Sequence, residues 1–295
     1  MSKELTIVVT CTHRKTVPPL PHHRICALEN AALEVRAATW NRILARATDR
    51  RPLSKLYSGE AWHQVGKLEA AVRARGIRPR ILVASAGLGL RPVESAGPSY
   101  SATFALGHLD SVGADRLQAR TWWKLLTASQ PSHEPAESFR GPTLFVLSDT
   151  YASAMTDDLR ALECRDDVVM FGGTAGLLTE QRFPSDIGLR SELGGTAVSL
   201  NVRMAIAWLQ RQDVIDLRAG RSRRDWEAWA DSVRSTAVYD RRPVDDAAVI
   251  AWIRKAKQQQ PRLSKTAALR LLRESGVACE QRRFGTLFVQ SMEGS

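Results

Sequence analysis

LTIVVTCTHRK, residues 5–15, begins as an unbroken run of apolar and β-branched residues and ends abruptly in polar and basic ones. A run without polar alternation suits a strand buried on both faces, and the polar end suits a loop delivered to the edge of a sheet. RILVAS (80–85), TLFVLS (143–148) and DVVMFGG (167–173) repeat the pattern. Between them lie helical stretches around 28–47, 60–75, 110–127 and 151–163, with apolar residues at mixed spacings of three and four. Strands alternating with helices predict an α/β fold, a mainly parallel sheet with helices on both faces. In such sheets the ligand crevice lies beyond the carboxyl ends of the strands, so THRK, SAGLGL, SDTY and GGTAG are the loops in which function is expected.

The chain has 295 residues, 44% of them hydrophobic, enough for a substantial core, so neither disorder nor a disulfide framework is expected. Cys11, Cys26, Cys164 and Cys279 are widely spaced and form no C-x-x-C pair. They read as reduced, mostly buried thiols rather than as a zinc knuckle or redox dithiol. The N-terminal MSKELTIVVTC lacks the long apolar core and cleavage site of a secretory signal, and no stretch approaches the roughly 20 apolar residues that span a bilayer. Cytoplasm is the expected location, with no membrane partner. The formal net charge of +11 favours a polyanionic partner. It is unevenly spread: residues 241–295 hold 11 of the 42 Lys and Arg but 5 of the 31 Asp and Glu, a surplus of +6 in that tail against +5 in the rest.

A boundary is expected around VYDRRPV, 238–244, after a Trp-bearing helix near 224–236, dividing the chain into 1–240 and 241–295. SQPSHEPAESFRGP, 129–142, reads as an exposed excursion within the first part. In the second part, Ser264 is placed to cap a helix whose apolar face is Ala268, Leu271 and Leu272, and Gly276 is placed to stop it. A further segment follows with Phe284, Leu287 and Phe288 on one side. Two helices across a Gly-containing turn, in a basic tail, read as a helix-turn-helix-like DNA-binding segment; the plain alternative is a three-helix cap with solvated arginines. Lys265, Arg270, Arg282 and Arg283 are its candidate DNA contacts.

No Walker loop, H-E-x-x-H, zinc-deaminase signature or complete G-x-G-x-x-G occurs, so neither a metal nor a cofactor is indicated. His22 and His23 follow prolines in a loop and read as exposed bystanders. The most informative stretch is 81–112, where a strand opens into Ser85, Gly87 and Gly89, followed by Glu94, Tyr100, His108 and Asp110. Small residues let backbone amides approach a ligand, and a carboxylate and a phenol complete a plausible kit; the bland reading is a turn and a helix capped by Asp110. Ser85 half-matches the nucleophile elbow, but Val83 replaces its first glycine. Arg14 and Lys15 suit phosphate contact or form a solvated basic turn. Trp122 and Trp123 share a helix but not a face, which places one in the core and the other against the C-terminal segment. In GGTAVSLNVRMAIAWL, 194–209, a short β-like run leads into a helix with Asn201 and Arg203 near its start, an edge for phosphate or base or merely a capped helix.

CTHRK after the first strand, LYSGEAW at 56–62, SAGLGL with the following PSY, and the glycine-rich late strand together resemble a bacterial α/β family. That family is similar in fold to uracil-DNA glycosylases and to the base-exchange domain of archaeosine synthase, and the chain looks like the phage-defence type that removes glucosylated hydroxymethylcytosine. The resemblance covers roughly residues 1–210. It implies a metal-independent DNA glycosylase with no cofactor, excising a modified base from double-stranded phage DNA and leaving abasic sites. The G-Q-D-P-Y and H-P-S motifs of uracil-DNA glycosylases are missing, which argues against uracil. Breaking an N-glycosidic bond builds positive charge on the sugar and negative charge on the base, so a carboxylate belongs near the first and donors near the second. Asp110 or Glu94 is the candidate carboxylate; the Gly87–Gly89 amides, Tyr100 and Asn201 are candidate donors; Tyr100, Phe104 and Tyr151 are candidate stacking faces for a flipped base. The rival readings are a DNA-binding regulator that senses a nucleotide and an RNA base-exchange enzyme.

Overall fold

The computed structural model describes residues 4–129, 135–212, 217, 219–235 and 242–293, without the side chains of residues 137, 219–222, 282 and 293. Contacts divide the chain into two units, 1–235 and 236–295.

The first unit is α/β. Its central sheet has six strands in the order β4-β3-β1-β6-β7-β8, formed by β1 (Glu4–Thr10), β3 (Arg78–Ser85), β4 (Gly89–Pro92), β6 (Thr143–Leu147), β7 (Val168–Gly172) and β8 (Arg182–Phe183). All neighbours are parallel except β4, which folds back antiparallel on β3. A small antiparallel pair, β2 (Arg50–Pro52) with β5 (Ala96–Pro98), stands apart. Every one of the four expected strands forms, and their apolar runs are buried on both faces, as in Ile7, Val8 and Val9 of β1.

Nine helices lie in this unit among the described residues: α1 (Leu33–Ala45), α2 (Leu53–Leu56), α3 (Glu60–Arg73), α4 (Arg116–Ala128), α5 (Asp149–Ala154), α6 (Thr156–Arg160), α7 (Arg190–Leu193), α8 (Leu200–Gln210) and α9 (Ala219–Val233). They pack in two groups, α1, α4 and α5 together and α3 against α8. The connection from β1 to β3 steps toward one edge of the sheet and that from β3 to β6 steps back past β1, so right-handed crossovers put α3 and α4 on opposite faces. The chain reverses its direction across the sheet between β1 and β6, and the carboxyl ends of those strands are where an open α/β sheet is expected to place its ligand.

Several local expectations are corrected. The helix over 151–163 is two short ones, α5 and α6. The β-like run before Asn201 is a 3-10 turn, Ala197–Ser199, continuous with α8. Both Trp122 and Trp123 are buried in the first unit: Trp122 donates to the Ala86 carbonyl (2.8 Å) and Trp123 to the Asp158 carboxylate (2.6 Å), so two adjacent indoles are held by partners on different sides of one helix. Asp115, not Asp110, caps α4, accepting from the Gln118 amide at 2.8 Å. In the 129–142 segment, of which 130–134 lie outside the described residues, Ala136 and Phe139 are buried, Phe139 against Phe145. Only Cys279 is fully buried; Cys11 is half-buried, and Cys26 and Cys164 are exposed.

The second unit contains α10 (Asp246–Gln259), α11 (Lys265–Glu274) and α12 (Gln281–Glu293), with a parallel contact between β9 (Arg242–Pro243) and β10 (Val277–Ala278). It has its own core of Val249, Ile253, Ala268, Leu269, Leu272, Cys279, Phe284 and Leu287. Ser264 caps α11 through the Ala267 amide (3.3 Å), and Gly276 follows its end at a φ of +82°, a left-handed conformation suited to glycine.

Candidate functional site

The end of β1 is fastened on both sides, by the Ser148 amide donating to the Thr10 hydroxyl at 3.2 Å on one of them. The Cys11 amide donates to the Ala84 carbonyl of β3 (2.9 Å), after which the chain leaves the sheet. Residues 12–16 are then tied to 55–58: the Thr12 hydroxyl donates to Ser58 O, the Thr16 amide to Leu56 O, and Lys15 bridges to Tyr57. LYSGEAW therefore serves as the rail for the CTHRK loop. Its Gly59 sits at a φ of +96°, just before α3, with Arg14 packed against it.

Lys15 does not form the solvated turn that its sequence neighbourhood suggests. The side chain is half-buried, with Nζ 4.2 Å from the centre of the Tyr100 ring, 5.7 Å from that of Tyr57, and 3.4 Å from each of the Thr12 and His13 carbonyls. Burial pushes its pKa down, while Cys11 and Asp110 act in the opposite direction.

Below it lies a closed polar knot. Tyr57 and Tyr100 share a hydrogen bond of 2.8 Å, and Tyr100 also bonds the Ser85 hydroxyl. Ser85 Oγ in turn accepts from the amides of Gly87 (3.1 Å) and Leu88 (2.9 Å). Ser85 and Tyr100 are almost completely buried, as is the whole turn into β4. This corrects the reading of Ser85, Gly87 and Gly89 as a bare loop awaiting a ligand. Its amides already have an acceptor, and Gly87 is small because a Cβ there would lie 2.4 Å from the Tyr100 ring. Gly89 supplies the φ of +70° that starts β4, opposite Ser85. Tyr151 is also buried, its hydroxyl 3.1 Å from Cys11 Sγ, and it packs edge-on against Phe104, which is itself in the core. Burial first, and the Cys11 thiol second, raise the pKa values of Tyr57, Tyr100 and Tyr151, so these phenols stay neutral. Tyr57 and Tyr151 present no face for stacking a base, and the Tyr100 ring, which reaches the cavity described below, lies beneath the Lys15 amine.

Asp110 has no solvent exposure, but it lies only one side chain below the surface. Its Oδ2 accepts from Arg24 Nη2 and from the Ser101 hydroxyl, both at 2.7 Å, and its Oδ1 from the Cys26 amide at 3.2 Å. Burial works to raise its pKa; the hydrogen bonds from Cys26 and Ser101 and the charge of Arg24 outweigh it, and the carboxyl is held below its ordinary range. The His108 ring accepts from the Asp110 amide (2.9 Å) through Nδ1, so its proton is assigned to Nε2, and His13 meets it edge-on at 5.2 Å. His13 is exposed along one side and covered on the other. The covering lowers its pKa, Lys15, His108 and Arg24 add to that, and Asp110 opposes it.

These groups surround a cavity of about 210 Å³ lined by His13, Arg14, Lys15, Arg24, Tyr100 and Ser101, with Val17, Pro18 and Pro19 as its apolar wall. That is below the ~300–1,000 Å³ of ordinary ligand pockets, a volume for one base or one sugar rather than a dinucleotide. Across Val17 and Pro18 a second cavity of about 450 Å³ holds His22, His23 and Arg46. His23 is buried, its Nδ1 3.1 Å from Ser99 O, which corrects its reading as an exposed bystander.

Of the residues singled out in the sequence, the structure brings Arg14, Lys15, Tyr100 and Ser85 to one place, with Asp110 immediately behind it. Glu94 is exposed in the turn between β4 and β5. Asn201 caps the ends of β6 and β7, donating to Leu147 O at 2.9 Å, with its Oδ1 unpartnered. Arg203 is committed to Glu60 (2.6 Å) and to Leu193 O, joining α8 to α3. In the second unit Arg283 is likewise held, by Asp246 and Val244 O, and Arg270 approaches Glu274 at 3.6 Å; Lys265 is exposed beside Gln281 and Thr286. The Arg282 side chain lies outside the described residues. Sequence reasoning missed Arg24, His13 and Tyr57. Arg24 carries no local signal, since it meets Asp110 across 86 positions.

Among the described residues no cluster of His, Cys, Asp and Glu is arranged to hold a metal, and no helix is long and apolar enough to cross a membrane. No family model, curated protein or solved structure matches the chain.

Proposed function

We propose that the chain is a metal-independent N-glycosylase that excises a modified base from DNA, with the second unit helping to hold the duplex. The observation that carries this reading is the cavity at the end of β1, small enough for one extruded nucleotide fragment and lined by Arg14, Lys15 and Arg24 over an ionised, buried Asp110. Departure of a base leaves negative charge on the base and positive charge on the sugar. The guanidinium of Arg24, held by Asp110, and the exposed one of Arg14 stabilise the first, and the field of a desolvated carboxylate favours the second. Asp110 acts here through Arg24 and Ser101, whose positions it fixes, rather than by direct attack.

The resemblance to phage-defence glycosylases supports glucosylated hydroxymethylcytosine as the base and phage DNA as the substrate, and a cavity with room for a single ring requires the glucose of such a base to lie outside it. The test is incubation of the full-length protein with ordinary DNA and with DNA carrying that base, reading free base by mass spectrometry and abasic sites with an aldehyde-reactive probe. Release from the modified DNA alone supports both activity and substrate. Salt-sensitive binding without release from either moves the assignment to a DNA-binding regulator.

A further inference from the structure

We propose that Lys15 is an amine nucleophile, and that the protein cleaves the DNA strand at an abasic sugar through an imine formed on Lys15. This rests on the glycosylase reading of the same cavity and extends it by a second reaction.

A lysine used for phosphate contact or solubility extends its ammonium into water, whereas Nζ of Lys15 turns inward over two tyrosine rings and lines the cavity. Its only polar partners are two carbonyls at the long distance of 3.4 Å, and no carboxylate forms an ion pair with it among the described residues. The one nearby carboxylate, Asp110, is engaged by Arg24, Ser101 and Cys26. The other groups facing it are the Cys11 thiol and the neutral phenols of Tyr57 and Tyr100, with His13 and Arg24 on the rim. Partial desolvation without an ion partner is how proteins obtain a reactive amine from lysine, and its pKa is lowered accordingly.

The proposed step balances without any further reagent. The unprotonated amine of Lys15 adds to C1′ of the ring-opened abasic sugar, and the carbinolamine loses water to give an iminium. His13, kept largely as neutral imidazole, takes a proton from C2′. The released electron pair forms the C2′–C3′ double bond as the C3′–O bond breaks, and the 3′ phosphate leaves with that bond's electrons toward the guanidinium of Arg14. Water then hydrolyses the imine, freeing Lys15 and an unsaturated aldehyde on the cut end.

The experiment uses DNA with a single preformed abasic site, so the identity of the excised base does not enter. Full-length protein is mixed with it in the presence of borohydride, which reduces an imine to a stable protein–DNA bond, and the adduct is digested and mapped by mass spectrometry. An adduct on Lys15, lost in Lys15→Met and in Lys15→Arg, with strand cutting lost in the same variants, is the expected result. Mapping in the wild-type protein keeps the test decisive even where a variant folds poorly. No adduct, or one mapped to the N-terminal amine or to other lysines, overturns the proposal. Base release from modified DNA without an adduct would overturn only the lyase step, and an adduct without base release from any DNA would overturn only the glycosylase reading.

Discussion

Two loops leave the carboxyl ends of adjacent parallel strands, and the chain builds them in opposite ways. After β3, residues 85–89 turn at once into β4, bury every side chain and bind the Gly87 and Leu88 amides to Ser85. After β1, residues 12–16 run along 55–58, leaving His13 and Arg14 exposed and the Lys15 amine in a cavity. The first loop is framework, and the second sets charged groups around a cavity. A glycine reports that something approaches closely; in the first loop that something is the Tyr100 ring.

The hardest way to break this contrast is Gly87→Ala. The added methyl would lie 2.4 Å from a ring fixed by hydrogen bonds to Tyr57 and Ser85, so the ring cannot yield without losing them. Overpacking typically costs about 1–3 kcal/mol, and so short an approach to a fixed ring puts Gly87→Ala at the upper end of that range, read as a lower urea midpoint. If Gly87→Ala were as stable as the wild type and failed only in ligand binding, the loop would be a ligand cradle after all.

Ser85→Ala sharpens the same point at a smaller cost. It leaves two buried amides without their acceptor and removes one of the two partners of the Tyr100 hydroxyl, a loss of about 1–3 kcal/mol. Base release by the fraction that remains folded is expected at the wild-type rate, because Ser85 has no open face. A folded Ser85→Ala protein without activity would return Ser85 to the list of reacting groups.

Asp110 supports the second loop from beneath, and pH separates its contribution. Its folded pKa is depressed, so its stabilisation is full above the unfolded carboxylate range and is lost as the pH falls through the folded value. Unfolding midpoints followed from about pH 7 to about pH 3 should therefore drop more steeply in the wild type than in Asp110→Asn. Equal slopes would mean that Arg24 and Ser101 do not depend on its charge.

The fold was legible because its strands are apolar runs and its helices are periodic, signals held within a dozen residues. The site was legible only in part. THRK is a candidate from sequence because the end of β1 is where an open α/β sheet is expected to put a ligand, and in that reading Lys15 is a phosphate contact. The rings over which its amine turns inward belong to Tyr57 and Tyr100, 42 and 85 positions away, and among the described residues no carboxylate pairs with it. Asp110 stood out as a carboxylate near a strand end, yet its partner Arg24 lies in a proline-rich stretch that no pattern marks. The contrast between Ser85 and Lys15 shows why: sequence places a residue at a strand end, and only packing decides whether it turns inward or outward.

The same distinction between held and free groups applies to the second unit, where the expected effect is smallest. Arg283 and Lys265 look alike in a basic tail, but Arg283 bonds Asp246 and the Val244 carbonyl, and so fastens the start of α12 to the start of α10. Lys265 stands exposed in the first turn of α11, beside Gln281, Thr286 and Gln290 of α12. A cation that releases a counterion on binding DNA contributes about 0.9 to the slope of log affinity against log salt, whereas one already paired with a carboxylate contributes little. Lys265→Ala should therefore flatten that slope by roughly this amount, and Arg283→Ala should leave it unchanged while loosening the α10–α12 contact. A flattened slope for Arg283→Ala alone would mean that its bond to Asp246 opens on DNA, and the face that meets the duplex would then be the one carrying Arg283 rather than the Lys265 groove.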